Sequence, residues 1–176
     1  MAYQKIFCMN HQELIQRSHK QAVDKGFWET PLTFDMAMAL IISEIAEALE
    51  AFRKSRVNPD WNDQDAVKNS FEVEIADAII RIYDWCGGNK ISPDLDVTAH
   101  YLYDNNEGRN FMILFESANY TWDILCDNLE KSDYCFGYLL NTLLSYCKFK
   151  NIDIEKYILW KLDYNLNRPY KHGKQF

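Results

Sequence analysis

Two pairs of acids, each spaced three residues apart, constrain this chain more than any other feature. Glu44 and Glu47 lie in ALIISEIAEALEAFRK, and Glu74 and Asp77 lie in FEVEIADAIIRIYDWC. On a helix, an i, i+3 spacing puts both carboxylates of a pair on one side. The 26 residues between Glu47 and Glu74 allow a turn and an antiparallel return. Two such helices side by side gather four carboxylates in one small volume. Four negative charges there require cations to share the site.

A helical wheel at about 100° per residue asks whether these acids are merely solvated. On the second helix Ile41, Ile45, Ala48, Leu49 and Phe52 make the apolar stripe, and Glu44 falls at its edge among Ala37, Leu40, Ala48 and Ala51. The alanines leave room beside the carboxylate, whereas Glu50 falls on the far side. On the third helix Phe71, Ile75, Ala78, Ile79, Ile82 and Cys86 form the main stripe, and Val73 and Ile80 form a second. Glu74, Asp77 and Arg81 therefore sit between two apolar borders, an unusual position for a surface acid.

The rest of the chain also reads as helix. A first helix is expected over about 10–25, capped by Asn10 and stopped by Gly26. The second covers about 34–54, and the third about 65–86, ending at Gly87-Gly88. A loop over 89–108, with a short apolar piece near 99–103, leads to helices over about 111–129 and 133–150, with Ser132 as a candidate cap. A last helix covers about 153–167 and stops before Pro169, and the tail is basic and irregular. No stretch alternates strictly, so the expected fold class is all-α, an antiparallel helix bundle in one domain spanning 1–176. A net charge of −7 excludes a nucleic-acid polymer as the main ligand. There is no apolar run of membrane-spanning length and no signal-peptide pattern. Five cysteines without a C-x-x-C pair read as buried free thiols of a reducing compartment, so a cytoplasmic location is expected.

Carboxylate-only oxygen sites suit Mg²⁺, with Mn²⁺ as a substitute. The rival is a di-iron bundle, but that site wants Glu-x-x-His on two helices. Position 47 is Glu and position 77 is Asp, and none of His11, His19, His100 and His172 completes such a motif. Zinc is disfavoured for the same reason.

With these residues in view the chain resembles the all-α nucleoside triphosphate pyrophosphohydrolases of the MazG type. Their E-x-x-E, spacer, E-x-x-D hallmark is matched by Glu44, Glu47, Glu74 and Asp77. Lys25-Gly26-Phe27-Trp28 is similar to the family's KGWW-type connector. The end, Lys161-x-x-Tyr164-Asn165-x-x-Arg168-Pro169-Tyr170-Lys171-His172-Gly173-Lys174, resembles its K-x-x-YN-x-x-RPY-x-HGGK ending, with one glycine where many relatives have two. The likeness covers about 10–90 and 152–174, and residues 91–150 match no motif of the family.

The resemblance implies hydrolysis of a (deoxy)nucleoside triphosphate to monophosphate and pyrophosphate, in the housekeeping of nucleotide pools. Glu47, Glu74 and Asp77 would hold Mg²⁺; Glu44 would be a further ligand or would orient the attacking water, so Glu44 and Glu47 are the catalytic candidates. Lys54, Arg81, Arg168, His172 and Lys174 are phosphate-binding candidates. Lys54 also fits a solvated helix end, Arg81 an i, i+4 ion pair with Asp77, and the tail a frayed terminus. Phe27, Trp28 and Trp61 are candidates for the base slot, or for the core, and Asn165 for a base or sugar edge. Relatives assemble as dimers or tetramers, so a homodimer is expected, with 111–149 as a candidate interface. The alternative function is a catalytically silent nucleotide-binding or assembly module on the same fold.

Overall fold

The structure is a computed structural model and describes residues 10–30, 32–98, 102–127 and 129–173. Among the described residues there is helix and no strand. The helices are α1 (His11–Asp24), α2 (Phe34–Arg53), α3 (Gln64–Lys68), α4 (Phe71–Asn89), α5 (Glu107–Asp127), α6 (Ser132–Phe149) and α7 (Ile154–Leu166), with 3₁₀ turns at Leu129–Lys131 and Tyr170–Gly173. Among the described residues, no helix is long and apolar enough to cross a membrane.

Local chemistry sets the boundaries. The Asn10 side chain accepts from the Glu13 amide at the start of α1, and Thr33 accepts from Met36 at the start of α2. At α7, Asp153 is the N-cap position, though its side chain makes no cap bond. The expected helix over 65–86 is two helices. Ser70 Oγ accepts from the Val73 amide and opens α4, while the Phe71 amide donates to Arg56 O at 2.8 Å and breaks the run. Gly87-Gly88 does not stop α4, which continues to Asn89 and ends at Lys90 in the left-handed region, φ 57°. The two glycines are there for space: a Cβ on Gly87 would lie 2.5 Å from His19 Cβ, and one on Gly88 2.1 Å from Trp28 Cη2.

Helix α5 starts at Glu107, earlier than the apolar pattern indicates. Ser132 is the first residue of α6 and not its cap; its Oγ donates to Leu129 O at 2.6 Å. Most of the apolar piece near 99–103 lies outside the described residues. The described part of the tail, which ends at Gly173, meets the α1–α2 connector through Tyr170 and Lys171. Gly26, at φ 82°, lets the Tyr170 ring approach so closely that a Cβ would lie 2.1 Å from Tyr170 Cζ, and the Lys171 amide donates to Lys25 O at 2.9 Å.

Helix α4 is the hub, packing against α1, α2, α6 and α7, while α5 packs on α2 and α6. Most of the stripes read from the sequence is buried, Ile41, Ile45 and Ala48 on α2 and Phe71, Val73, Ile75, Ala78, Ile79, Ile82 and Cys86 on α4, while Leu49, Phe52 and Ile80 are half-buried at the edge of the core. The α2–α4 packing sets the register in which the acids face one another. Cys86, Cys135 and Cys147 are buried free thiols, and Cys126 is exposed, with its Sγ donating to Asp123 O at 3.1 Å.

Candidate active site

Glu44 from α2 and Glu74 and Asp77 from α4 each bring a carboxylate oxygen to within 4.8 Å of the others. Glu44 is only 6% exposed, because the small residues Ala37, Ala48 and Ala51 around it are themselves buried. Glu47 lines the same pocket but stands exposed, with Ser43 Oγ donating to its Oε1 at 3.3 Å. Three of the four expected acids thus form the cluster, and the fourth belongs to the pocket wall.

The cations that four acids demand are supplied in part by the chain. Arg81 Nε donates to Glu44 Oε1 at 2.5 Å, so its partner is across the helix pair and not Asp77 on its own helix. Asp77 Oδ2 is held instead by the Lys161 ammonium at 2.5 Å, and Lys161 is 7% exposed. The Glu74 carboxylate has neither a hydrogen bond nor an ion pair among the described residues. Three carboxylates against two cations leave the cluster negative. Burial, followed by repulsion from Asp77, pushes the Glu74 carboxyl up to about 7. Burial likewise raises Asp77 to about 6, with Lys161 opposing it.

The cluster opens on a pocket of about 310 Å³, within the range of small-molecule sites. Besides Arg81 and Lys161, its lining includes Lys25, Lys68 and Arg168; besides the four acids, it includes Asp84. Lys25 is committed to the tail, with Nζ donating to Leu166 O at 2.8 Å and to Arg168 O at 2.6 Å. Phe27, Trp28, Leu32, Leu40 and Ile80 supply apolar wall. Arg168 Nη1 reaches Asn165 Oδ1 at 3.4 Å, so both tail candidates line the pocket as a pair.

Lys54 and Trp61 are elsewhere. Lys54 is exposed and pairs with Glu50 at 2.9 Å, outside the pocket lining. Trp61 packs against Tyr157, with the Lys156 ammonium 3.5 Å from its ring centre, and also lies outside the lining. The backbone of His172 is in the last 3₁₀ turn, its side chain is outside what is described, and Lys174 lies outside the described residues.

Sequence reasoning quotes Lys161 only within the tail motif and gives it no role, and it misses Asp84 and Ser18. A lone lysine on a helix ordinarily reads as solvated, and the signal for Lys161 is its position within the buried run Tyr157, Ile158, Leu162 and Asn165. Asp84 continues the Asp77 face of α4 two turns further on. Ser18 is 2% exposed and lines the pocket, and its buried Oγ has no hydrogen-bond partner among the described residues.

The donor set fits a hard divalent cation. All three clustered ligand atoms are carboxylate oxygens, and among the described residues no histidine or cysteine joins them. The unpaired Glu74 is where added positive charge relieves most repulsion. Compared with known proteins, the chain matches no family model, no curated protein and no solved structure.

Proposed function

We propose that the chain is a divalent-cation-dependent nucleoside triphosphate pyrophosphohydrolase of the MazG-like all-α type. The observation that carries this reading is the convergence of Glu44, Glu74 and Asp77 in a pocket also lined by Lys68, Arg81, Lys161 and Arg168. A nucleoside triphosphate uses both halves of that wall, because its phosphates call for cations and its base for apolar surface.

Glu44, Glu74 and Asp77 would hold Mg²⁺, or Mn²⁺ in its place, with Glu47 joining from the solvent side. When bound, the cation supplies Lewis acidity that neutralises charge on the phosphate oxygens. Arg81 and Lys161 are held in place by Glu44 and Asp77, so their remaining N–H donors are oriented before substrate arrives. Arg168 adds a guanidinium suited to two-point phosphate contact. Glu47 is the carboxylate with solvent access, and takes the proton of the attacking water as the new bond to the α-phosphorus forms. The bridging oxygen leaves with pyrophosphate, and the nucleoside keeps one phosphate.

The test is turnover of a triphosphate panel by wild type beside Glu74→Gln, with Mg²⁺ and with chelator. Mg²⁺-dependent turnover in wild type and its loss in the variant are expected; equal turnover in both would remove the site. A silent nucleotide-binding module is favoured by one observation, the prior pairing of Glu44 and Asp77 with Arg81 and Lys161. It would bind nucleotide without turnover. The reading includes a homodimer, since Met112 on α5 and Tyr134 on α6 present apolar surface at 65% and 47% exposure. Light scattering that gives a monomer mass would refute the dimer.

A further inference from the structure

The face of α4 that carries the acid cluster continues past it. Arg81 and Asp84 follow Asp77 by four and seven residues, and all three line the pocket. Seven residues of helix advance about 10 Å, comparable to the distance from the phosphorus of a nucleoside 5′-phosphate to the far edge of its base. With a phosphate at the cluster, a base lying along this face ends at Asp84. The wall there is of the kind a base needs, with Phe27, Trp28 and Ile80 in the lining.

Asp84 is fixed on one side and open on the other. Its Oδ1 accepts from Trp28 Nε1 at 2.8 Å and from His19 Nδ1 at 3.0 Å. Its Oδ2 has no partner among the described residues. The Trp28 ring is itself held, edge-on to His19 at a centroid distance of 4.8 Å and against Gly88. Two donors converging on one oxygen orient the carboxylate and leave the other as an acceptor. An ionised carboxylate offers no donor, so it pairs with N–H groups and repels a carbonyl oxygen. In the same wall the buried, unpartnered Ser18 hydroxyl can give or take one further hydrogen bond.

We propose that Asp84 reads the nucleobase and selects bases bearing an exocyclic amino group over their carbonyl counterparts. This rests on the nucleotide reading above and names the substrate class within it. Asp84 is a specificity-determining residue, and the carbonyl analogue loses because it leaves Oδ2 facing an acceptor.

The test uses the full chain and calorimetric binding of 5′-monophosphates in matched pairs, cytidine against uridine and adenosine against inosine, with and without Mg²⁺. The amino-bearing member of each pair binds at least about tenfold tighter to wild type. Asp84→Asn keeps an oxygen for Trp28 and turns an N–H₂ toward the base, so it flattens or inverts the preference. Equal affinities in wild type, binding of neither member, or a preference unchanged in Asp84→Asn would overturn the assignment. The wild-type comparison decides even if the variant does not fold. Discrimination between bases without any triphosphate turnover would overturn the hydrolytic reading and leave Asp84 assigned; turnover without discrimination would do the reverse.

Discussion

Lys161→Met separates the two roles of the buried ammonium, because it moves stability and metal affinity in opposite directions. In the folded chain Lys161 sits 2.5 Å from Asp77, with side-chain exposures of 8% and 15%. Removing it leaves Asp77 facing Glu44 and Glu74, whose oxygens lie within 4.8 Å. Breaking one side of a buried pair costs about 3–5 kcal/mol, and the residual exposure of Asp77 places this case near 3. In a chain of this length that lowers Tm by roughly 6–12 °C. The same substitution removes a positive charge that competes with a cation for the cluster. At a separation of a few ångströms even strongly screened Coulomb energies exceed about 1.4 kcal/mol, so Mg²⁺ affinity rises at least about tenfold. Thermal melts in chelator at pH 7.5 read the first effect, and Mg²⁺ calorimetry reads the second. A Tm change under about 2 °C, or an unchanged or weakened Mg²⁺ affinity, would refute this account of the site.

Three further predictions are independent of that one. Glu74 and Asp77 titrate near 7 and 6 in the folded chain against ordinary values of 4.5 and 3.8. At these two groups the folded state binds more protons than the unfolded state between about pH 4 and 7, so they favour folding less as pH rises through that window; burial raises Asp84 in the same sense and lowers His11 in the opposite one, and the two cluster acids set the expected slope of the chelated protein. Burial pushes Glu107 up, but hydrogen bonds from Lys150, Tyr146 and Asn110 hold it below its ordinary value. Melts from pH 5 to 8 in chelator and in Mg²⁺ check this; a chelated Tm that rises from pH 5 to 7 would contradict it, and Mg²⁺ should flatten the slope. Gly137→Ala costs about 2 kcal/mol, because its Cβ would lie 2.0 Å from the Asp94 carbonyl oxygen, which is backbone; an unchanged Tm would show that the 91–98 strap on α6 can move aside. Glu47→Gln, at an exposed position, abolishes Mg²⁺-dependent turnover with Tm within about 2 °C of wild type, and unchanged turnover would remove Glu47 from the mechanism.

The legible parts of this molecule were those written in local chemistry. Asn10 and the apolar stripes of α2 and α4 placed those helices and the inward side of Glu44, because caps and periodicity act within one element. Gly87-Gly88 misled because a glycine pair ordinarily ends a helix, whereas here His19 and Trp28, distant in sequence, take up the space. For Arg81 the sequence offers a phosphate contact or an ion pair with Asp77 on its own helix, whereas the α2–α4 register supplies Glu44 as its partner. Lys54 and Trp61 are near the site along the chain, but the fold leaves Lys54 in solvent beside Glu50 and packs Trp61 on the core against Tyr157. Lys161 stands in the tail motif and in the apolar run of α7, but its pairing with Asp77, like the burial of Asp84, comes from the docking of α7 and α1 on α4.

The central claim meets its most direct test in the products formed from ribo- and deoxynucleoside triphosphates with Mg²⁺, separated by chromatography. The account predicts nucleoside monophosphate and pyrophosphate in equal amounts from at least one of them, abolished by chelator. Diphosphate with inorganic phosphate, or no product from any triphosphate with Mg²⁺ or Mn²⁺, would contradict it.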